Sequence, residues 1–136
     1  MKVLITGGAG YIGSHAVAEL VTKGESVVVL DNLQKGHKEA IWQGATFYKG
    51  DLRDEKVLDR VFTENKIDAV IHFAADSLVG ESVVEPLKYY ENNVCSAIVL
   101  LKAMNKHGVN KIVFSSTAAT YGEPESVPIV ETDKTF

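Results

Sequence analysis

Short apolar runs alternate with stretches of helical period along this chain. Val3-Leu4-Ile5 is apolar, mostly β-branched and halted by Gly7-Gly8, which predicts a buried strand. From Tyr11 to Thr22 the period lengthens. Ile12, Ala16 and Leu20 share a face with Val17 and Val21 beside them, and Glu19 sits four residues before Lys23. Gly24 is a helix stop. Val27-Val28-Val29-Leu30 predicts a second buried strand ending at Asp31, and residues 32–44 are polar loop with a helical turn around Trp42. Thr46-Phe47-Tyr48-Lys49 predicts a third strand. Asp54 caps a helix through Asn65 that turns Val57, Leu58, Val61 and Phe62 inward.

Residues 69–73 predict a fourth strand and residues 74–82 a loop. One long helix follows from Pro86 to His107, stopped by Gly108, with an apolar face of Leu87, Val94, Ala97, Ile98, Leu101 and Met104. Lys111-Ile112-Val113-Phe114 predicts a fifth strand, and beyond Gly122 the chain reads as an irregular tail with Pro124 and Pro128. Strands alternating with helices predict an α/β fold: a doubly wound parallel sheet of about five strands, covered on both faces. Ligands of such folds sit beyond the carboxyl ends of the strands.

Composition narrows the function. The 136 residues are one domain's length, with 46% hydrophobic and 24% charged residues, a globular balance. The net charge of −4 argues against a sequence-independent hold on nucleic acid or anionic lipid. The apolar run at the N-terminus is too short for a membrane span or a signal sequence, so a cytoplasmic protein is the expectation. Cys95 is the one cysteine, which excludes a disulfide framework. It sits beside Val94 and Ile98, a packing position. His15, His37 and His107 share no ligand spacing with carboxylates, so no metal is expected, and His72 reads as a core histidine.

The candidate chemistry lies at the first turn. Gly7, Gly10 and Gly13 form G-x-x-G-x-x-G between the first strand and the first helix. Gly7 permits a tight turn and Gly10 lets backbone approach a pyrophosphate. Gly13 lets the helix pack closely on the sheet, and free amides at the helix start meet the anion. The triplet is informative only in this strand–turn–helix setting, where it marks a dinucleotide-binding (Rossmann) fold. Asp31, eighteen residues after Gly13, is placed to accept from both adenosine ribose hydroxyls and to repel a 2′-phosphate, which favours NAD over NADP. Asp51, in Gly50-Asp51-Leu52, is placed to bond the adenine amino group while Leu52 covers the ring. Its spacing fits a plain helix-opening aspartate nearly as well.

These segments, with His72-Phe73-Ala74-Ala75, Val79-Gly80-Glu81-Ser82, Pro86 to Val94 and Phe114 to Gly122, resemble the extended short-chain dehydrogenase/reductase family. Within it they resemble the nucleotide-sugar epimerase branch, which interconverts UDP-glucose and UDP-galactose through a 4-keto sugar on tightly held NAD. The resemblance implies NAD contacts at Tyr11, Ile12, Asp31, Asn32, Asp51, Leu52, Phe73, Ala74, Ala75, Asn92 and Ser115. It implies that the Thr117 hydroxyl bonds the sugar 4-OH, where many relatives carry serine. Ser77 stands where some relatives carry a cofactor-reaching lysine. Ala118-Ala119 stands where the related dehydratases carry an Asp-Glu pair, and two methyl groups move no proton, which argues against elimination of water. Epimerases or decarboxylases of other UDP-sugars stay open.

The family's base is a tyrosine with a lysine four positions on, which lowers the tyrosine pKa. The residues four after Tyr11, Tyr48, Tyr89, Tyr90 and Tyr121 are His15, Leu52, Asn93, Val94 and Glu125. The expectation is therefore a single NAD-binding domain over 1–136 that stops short of the Tyr-x-x-x-Lys pair and of a substrate lobe, and is inactive alone. A stand-alone nucleotide-binding module is the alternative. The family's homodimer packs the long helix against the helix carrying that pair, so dimerisation of this chain is expected to be impaired.

Overall fold

A computed structural model describes residues 1–124 and 126–135; Glu125, one of the positions compared above, and Phe136 lie outside the described residues. Five strands form one parallel sheet: β1 (Lys2–Thr6), β2 (Ser26–Asp31), β3 (Thr46–Lys49), β4 (Ala69–His72) and β5 (Ile112–Phe114), in the order β3-β2-β1-β4-β5. The chain starts at the centre, moves outward one way, then returns past β1 to build the other side. The strand order thus reverses beside β1, the place where such sheets open a crevice.

Alternation along the strands sorts side chains to two faces. Val3, Ile5, Val27 and Val29 pack on one face beneath α1 (Tyr11–Thr22), with Val17 fully buried. Leu4, Val28, Leu30 and Val70 face the other side, under α2 (Glu55–Glu64) and α5 (Ser96–Lys106). The Asp54 carboxylate accepts from the amides of Lys56 and Val57 at 2.9 and 3.4 Å, capping α2 as expected. Asp59 on α2 pairs with Lys106 Nζ at 2.6 Å and His107 Nε2 at 2.8 Å, tying the end of α5 to α2.

The structure corrects the reading in several places. The turn before β3 is a 3₁₀ turn at Lys38–Ala40, not around Trp42. The stretch 74–82 is not all loop, because α3 (Val79–Val84) begins within it. The long helix is three pieces: α4 (Pro86–Tyr89), a π-helical segment Tyr90–Cys95, and α5. Each π turn holds more residues than an α turn, so the segment changes which positions of α5 meet the sheet. The buried positions of α5 are Ser96, Leu100 and Met104, four apart, while Leu87, Val94, Ile98 and Leu101 are exposed. Cys95, expected to pack, is exposed for the same reason. Ile12, at the open start of α1, is also exposed. Coverage of the sheet fails at β5, whose three residues are all exposed.

Candidate functional site

The carboxyl ends of β1, β2 and β4 open into one crevice. It is lined by Gly7 and Gly10, by Asp31 and Asn32, by Asp51 and Leu52, and by Phe73, Ala74 and Ala75, with Asn92 arriving from the π segment. Ten of the expected cofactor positions therefore meet in one place. Tyr11, Ile12 and Gly13 do not line it: Tyr11 and Ile12 are exposed on the first turn of α1, and Gly13 is buried beneath the glycine turn.

The turn is held by backbone bonds. Gly7 has φ +73°, donates to Leu30 O at 3.0 Å, and its carbonyl accepts from Gly10 N at 3.1 Å. A Cβ on Gly7 would lie 2.7 Å from Ala74 N. A Cβ on Gly13 would lie 2.2 Å from Gly7 O, so Gly13 serves contact between helix and turn rather than between helix and sheet. α1 has Gly10 as its N-cap, with no side-chain cap. Its first-turn amides have no partner within the helix and present donors to an anion.

Asp31 is braced before any ligand arrives. One carboxylate oxygen accepts from Ala9 N at 3.0 Å and the other from Leu33 N at 2.8 Å. A carboxylate has about four acceptor positions, so about two are left for paired hydroxyls. Leu33 reaches this bond with φ +61°. Asp51 is engaged by Arg53, whose Nε and Nη2 donate at 2.9 and 2.7 Å and whose amide donates at 2.9 Å. That guanidinium holds the Asp51 carboxyl well below the carboxylate range, at about 2. Asp51 thus caps its own turn while it faces the crevice.

A second cavity adjoins the first through Phe73, Ala74 and Ala75. It is lined by Ser77, Leu78, Ser82, Tyr89, Phe114, Ser115 and Thr117. Thr117 is exposed; its Oγ1 accepts from Ala119 N at 3.2 Å, capping a 3₁₀ turn over Ala118–Tyr121, and its proton remains available for donation. His72 is a core histidine as expected: buried, bonded through Nδ1 to Thr6 Oγ1 at 2.7 Å, with its pKa pushed down by burial. Among the described residues no group of three or more His, Cys, Asp or Glu gathers as a metal site, and no helix is long and apolar enough to cross a membrane.

The reading of the sequence missed Gln34, Lys35, Gly36, Gly50, Asp76 and Ser96 as crevice residues. Asp76 directly follows Phe73-Ala74-Ala75, and that adjacency is the signal that could have found it.

The donor set fits a dinucleotide: backbone amides for phosphates, a braced carboxylate for ribose hydroxyls, and an apolar wall at Leu52 and Phe73. UDP-glucose 4-epimerase of Halalkalibacterium halodurans is 63% identical over 136 residues, all of this chain and 40% of that protein. A crystal structure of a UDP-glucose 4-epimerase superposes with a TM-score of 0.93 at 59% identity, over 100% of this chain and 41% of the other. The enzyme of Bifidobacterium longum, solved in complex with NAD+ and UDP, gives 0.92 at 46% identity, over 100% and 43%. The chain thus spans about 40% of the length of the curated relatives it matches. Residues 3–136 match the NAD dependent epimerase/dehydratase family, and the chain belongs to that family.

Proposed function

We propose that this chain supplies the cofactor cradle and one catalytic hydroxyl of an NAD-dependent 4-epimerase that interconverts UDP-glucose and UDP-galactose through a 4-keto sugar. The observation that carries the reading is the meeting, in one crevice, of the uncapped α1 turn, the braced Asp31 carboxylate and the Phe73-Ala74-Ala75 wall. NAD, when bound, accepts and returns the hydride of the sugar carbon. The α1 amides bind its pyrophosphate, Asp31 takes the adenosine ribose hydroxyls, and Asp51, Leu52 and Asn32 border the adenine. Phe73, Ala74, Ala75, Asn92 and Ser115 position the remainder, and Tyr11 and Ile12 flank the phosphates from the helix start. Thr117 in the adjoining cavity bonds the sugar 4-OH and orients it for proton removal. The base itself is a tyrosine of a Tyr-x-x-x-Lys pair outside residues 1–136.

The test is conversion of UDP-galactose to UDP-glucose with NAD. The 136-residue chain alone gives no product, and its natural reading frame carried past Phe136 gives turnover. Turnover by the chain alone overturns the assignment of the base. Tight NAD binding with no turnover from the extended frame favours a binding module.

The same reading places the protein in the cytoplasm and makes it a homodimer. Support for the dimer is the exposed apolar stripe of Leu87, Tyr90, Val94, Ile98 and Leu101 across α4, the π segment and α5. Light scattering of the extended protein gives a dimer. A monodisperse monomer counts against it.

A further inference from the structure

The loop after β2 lines the cofactor crevice and is fastened at three points. The Asp31 carboxylate holds Leu33 N. His37 N donates to Ala9 O at 3.0 Å, and Gly36 lies so close to Ala9 that a Cβ would meet its backbone at 2.7 Å. Between these anchors, Lys35 Nζ reaches over the crevice to Asp76 Oδ1 at 2.7 Å. Lys35 and Asp76 both line the crevice, one after β2 and the other after β4, the strands that flank β1.

Asp76 is fixed for this contact. Its side chain is 7% exposed, against 49% for Lys35. Its backbone is gripped at both ends by Asn93, whose Oδ1 accepts from Asp76 N at 2.8 Å and whose Nδ2 donates to Asp76 O at 2.9 Å. Asn93 belongs to the π segment, a distortion that often marks a working position in a helix. The other cations nearby are committed elsewhere, Arg53 to Asp51 and Lys88 to Glu81. Lys35 is the cation in direct contact with this buried carboxylate, and a buried charge without its partner is costly.

We propose that Lys35 and Asp76 form a clasp across the cofactor crevice that retains bound NAD and sets the rate of its release. This rests on the reading of the crevice as an NAD site. Lys35 is a positioning residue: it neutralises Asp76 and pins the loop after β2 to the loop after β4 at the crevice. Release then requires the ion pair to open.

The test loads the protein, carried with all of its natural sequence, with NADH. Excess NAD is added and the loss of bound-NADH fluorescence is followed. Lys35→Met and Asp76→Asn each speed release by roughly threefold to tenfold. The double variant is no faster than the single ones, because both remove one contact. Lys35→Arg restores slow release, which a purely structural defect does not predict. Added salt speeds release from the wild type and leaves Lys35→Met unchanged. Equal release rates for wild type and Lys35→Met overturn the clasp and leave the cofactor reading standing. Slower release from Asp76→Asn also overturns it, in favour of Lys35 binding phosphate directly. A wild-type protein that takes up no NADH overturns the cofactor reading and the clasp with it.

Discussion

Replacing Gly13 by alanine pits helix propensity against the glycine turn. Propensity alone favours alanine in a helix by about 1 kcal/mol. The new Cβ, however, would lie 2.2 Å from Gly7 O, and 2.9 Å from both Gly7 C and Gly8 Cα. Ordinary contact starts at 3.4 Å, so the carbonyl or the helix must retreat by 1.2 Å (3.4 − 2.2). All three obstacles are backbone, and no side chain can swing aside. The displaced carbonyl is the acceptor for Gly10 N at 3.1 Å, so the turn loosens with it. Overpacking of this kind costs about 1–3 kcal/mol, which outweighs the propensity gain. Net destabilisation of up to about 2 kcal/mol follows, with weakened NAD binding because the turn and the α1 amides move together. Two controls separate the causes. Gly80→Ala in α3 meets nothing within 4 Å, so only the propensity gain applies and stability rises by up to about 1 kcal/mol. Gly24→Ala also meets nothing but sits at φ +82°, so it loses about 1 kcal/mol through strain alone and keeps NAD affinity. Urea midpoints and NAD titrations of the three variants decide the matter. A Gly13→Ala protein as stable as Gly80→Ala, with unchanged NAD affinity, refutes the reasoning.

Three further outcomes follow from the site. Asp31→Asn removes the negative charge facing the ribose, so NAD affinity falls about tenfold or more and the preference over NADP shrinks, read by parallel titrations. Thr117→Val lowers kcat of the extended protein by roughly tenfold or more while NAD binding stays unchanged, since Thr117 lines the second cavity and not the first. Acid lowers stability in two stages, because His72 and Asp51 both have folded pKa values below their unfolded ones. The His72 contribution is complete above its ordinary value of 6.5 and is lost as pH falls below it. The Asp51 contribution is complete above 3.8 and is lost as pH falls toward about 2. Arg53→Met shrinks the second stage, worth about 1–2 kcal/mol after solvent screening, in denaturation measured across the acid range.

The core strands and the glycine turn were legible because each depends on local chemistry. Val3 to Ile5 and Val27 to Leu30 are apolar at every position since both faces of a central parallel strand are covered. Asp54 caps α2 through bonds to residues two and three positions ahead. The carboxylate at Asp31 was legible from spacing, but its bracing by Ala9 N and Leu33 N was not, because a backbone amide has no residue type to read. The π segment hid for a related reason. Leu87, Val94, Ile98 and Leu101 share a stripe at α spacing, and nothing in their chemistry distinguishes an exposed stripe from a buried one. Lys35 and Asp76 are 41 positions apart (76 − 35), and only the fold brings them to one crevice.

The C4 hydrogen of the sugar reports most directly on whether the crevice serves hydride transfer. UDP-galactose carrying deuterium at C4 is converted in ordinary water by the protein carried past Phe136. If the crevice holds NAD for a 4-epimerase, the deuterium is transferred to the cofactor and returned to the same carbon. The UDP-glucose formed then retains its label at C4. Product that has lost the label to solvent contradicts a hydride route through this cradle.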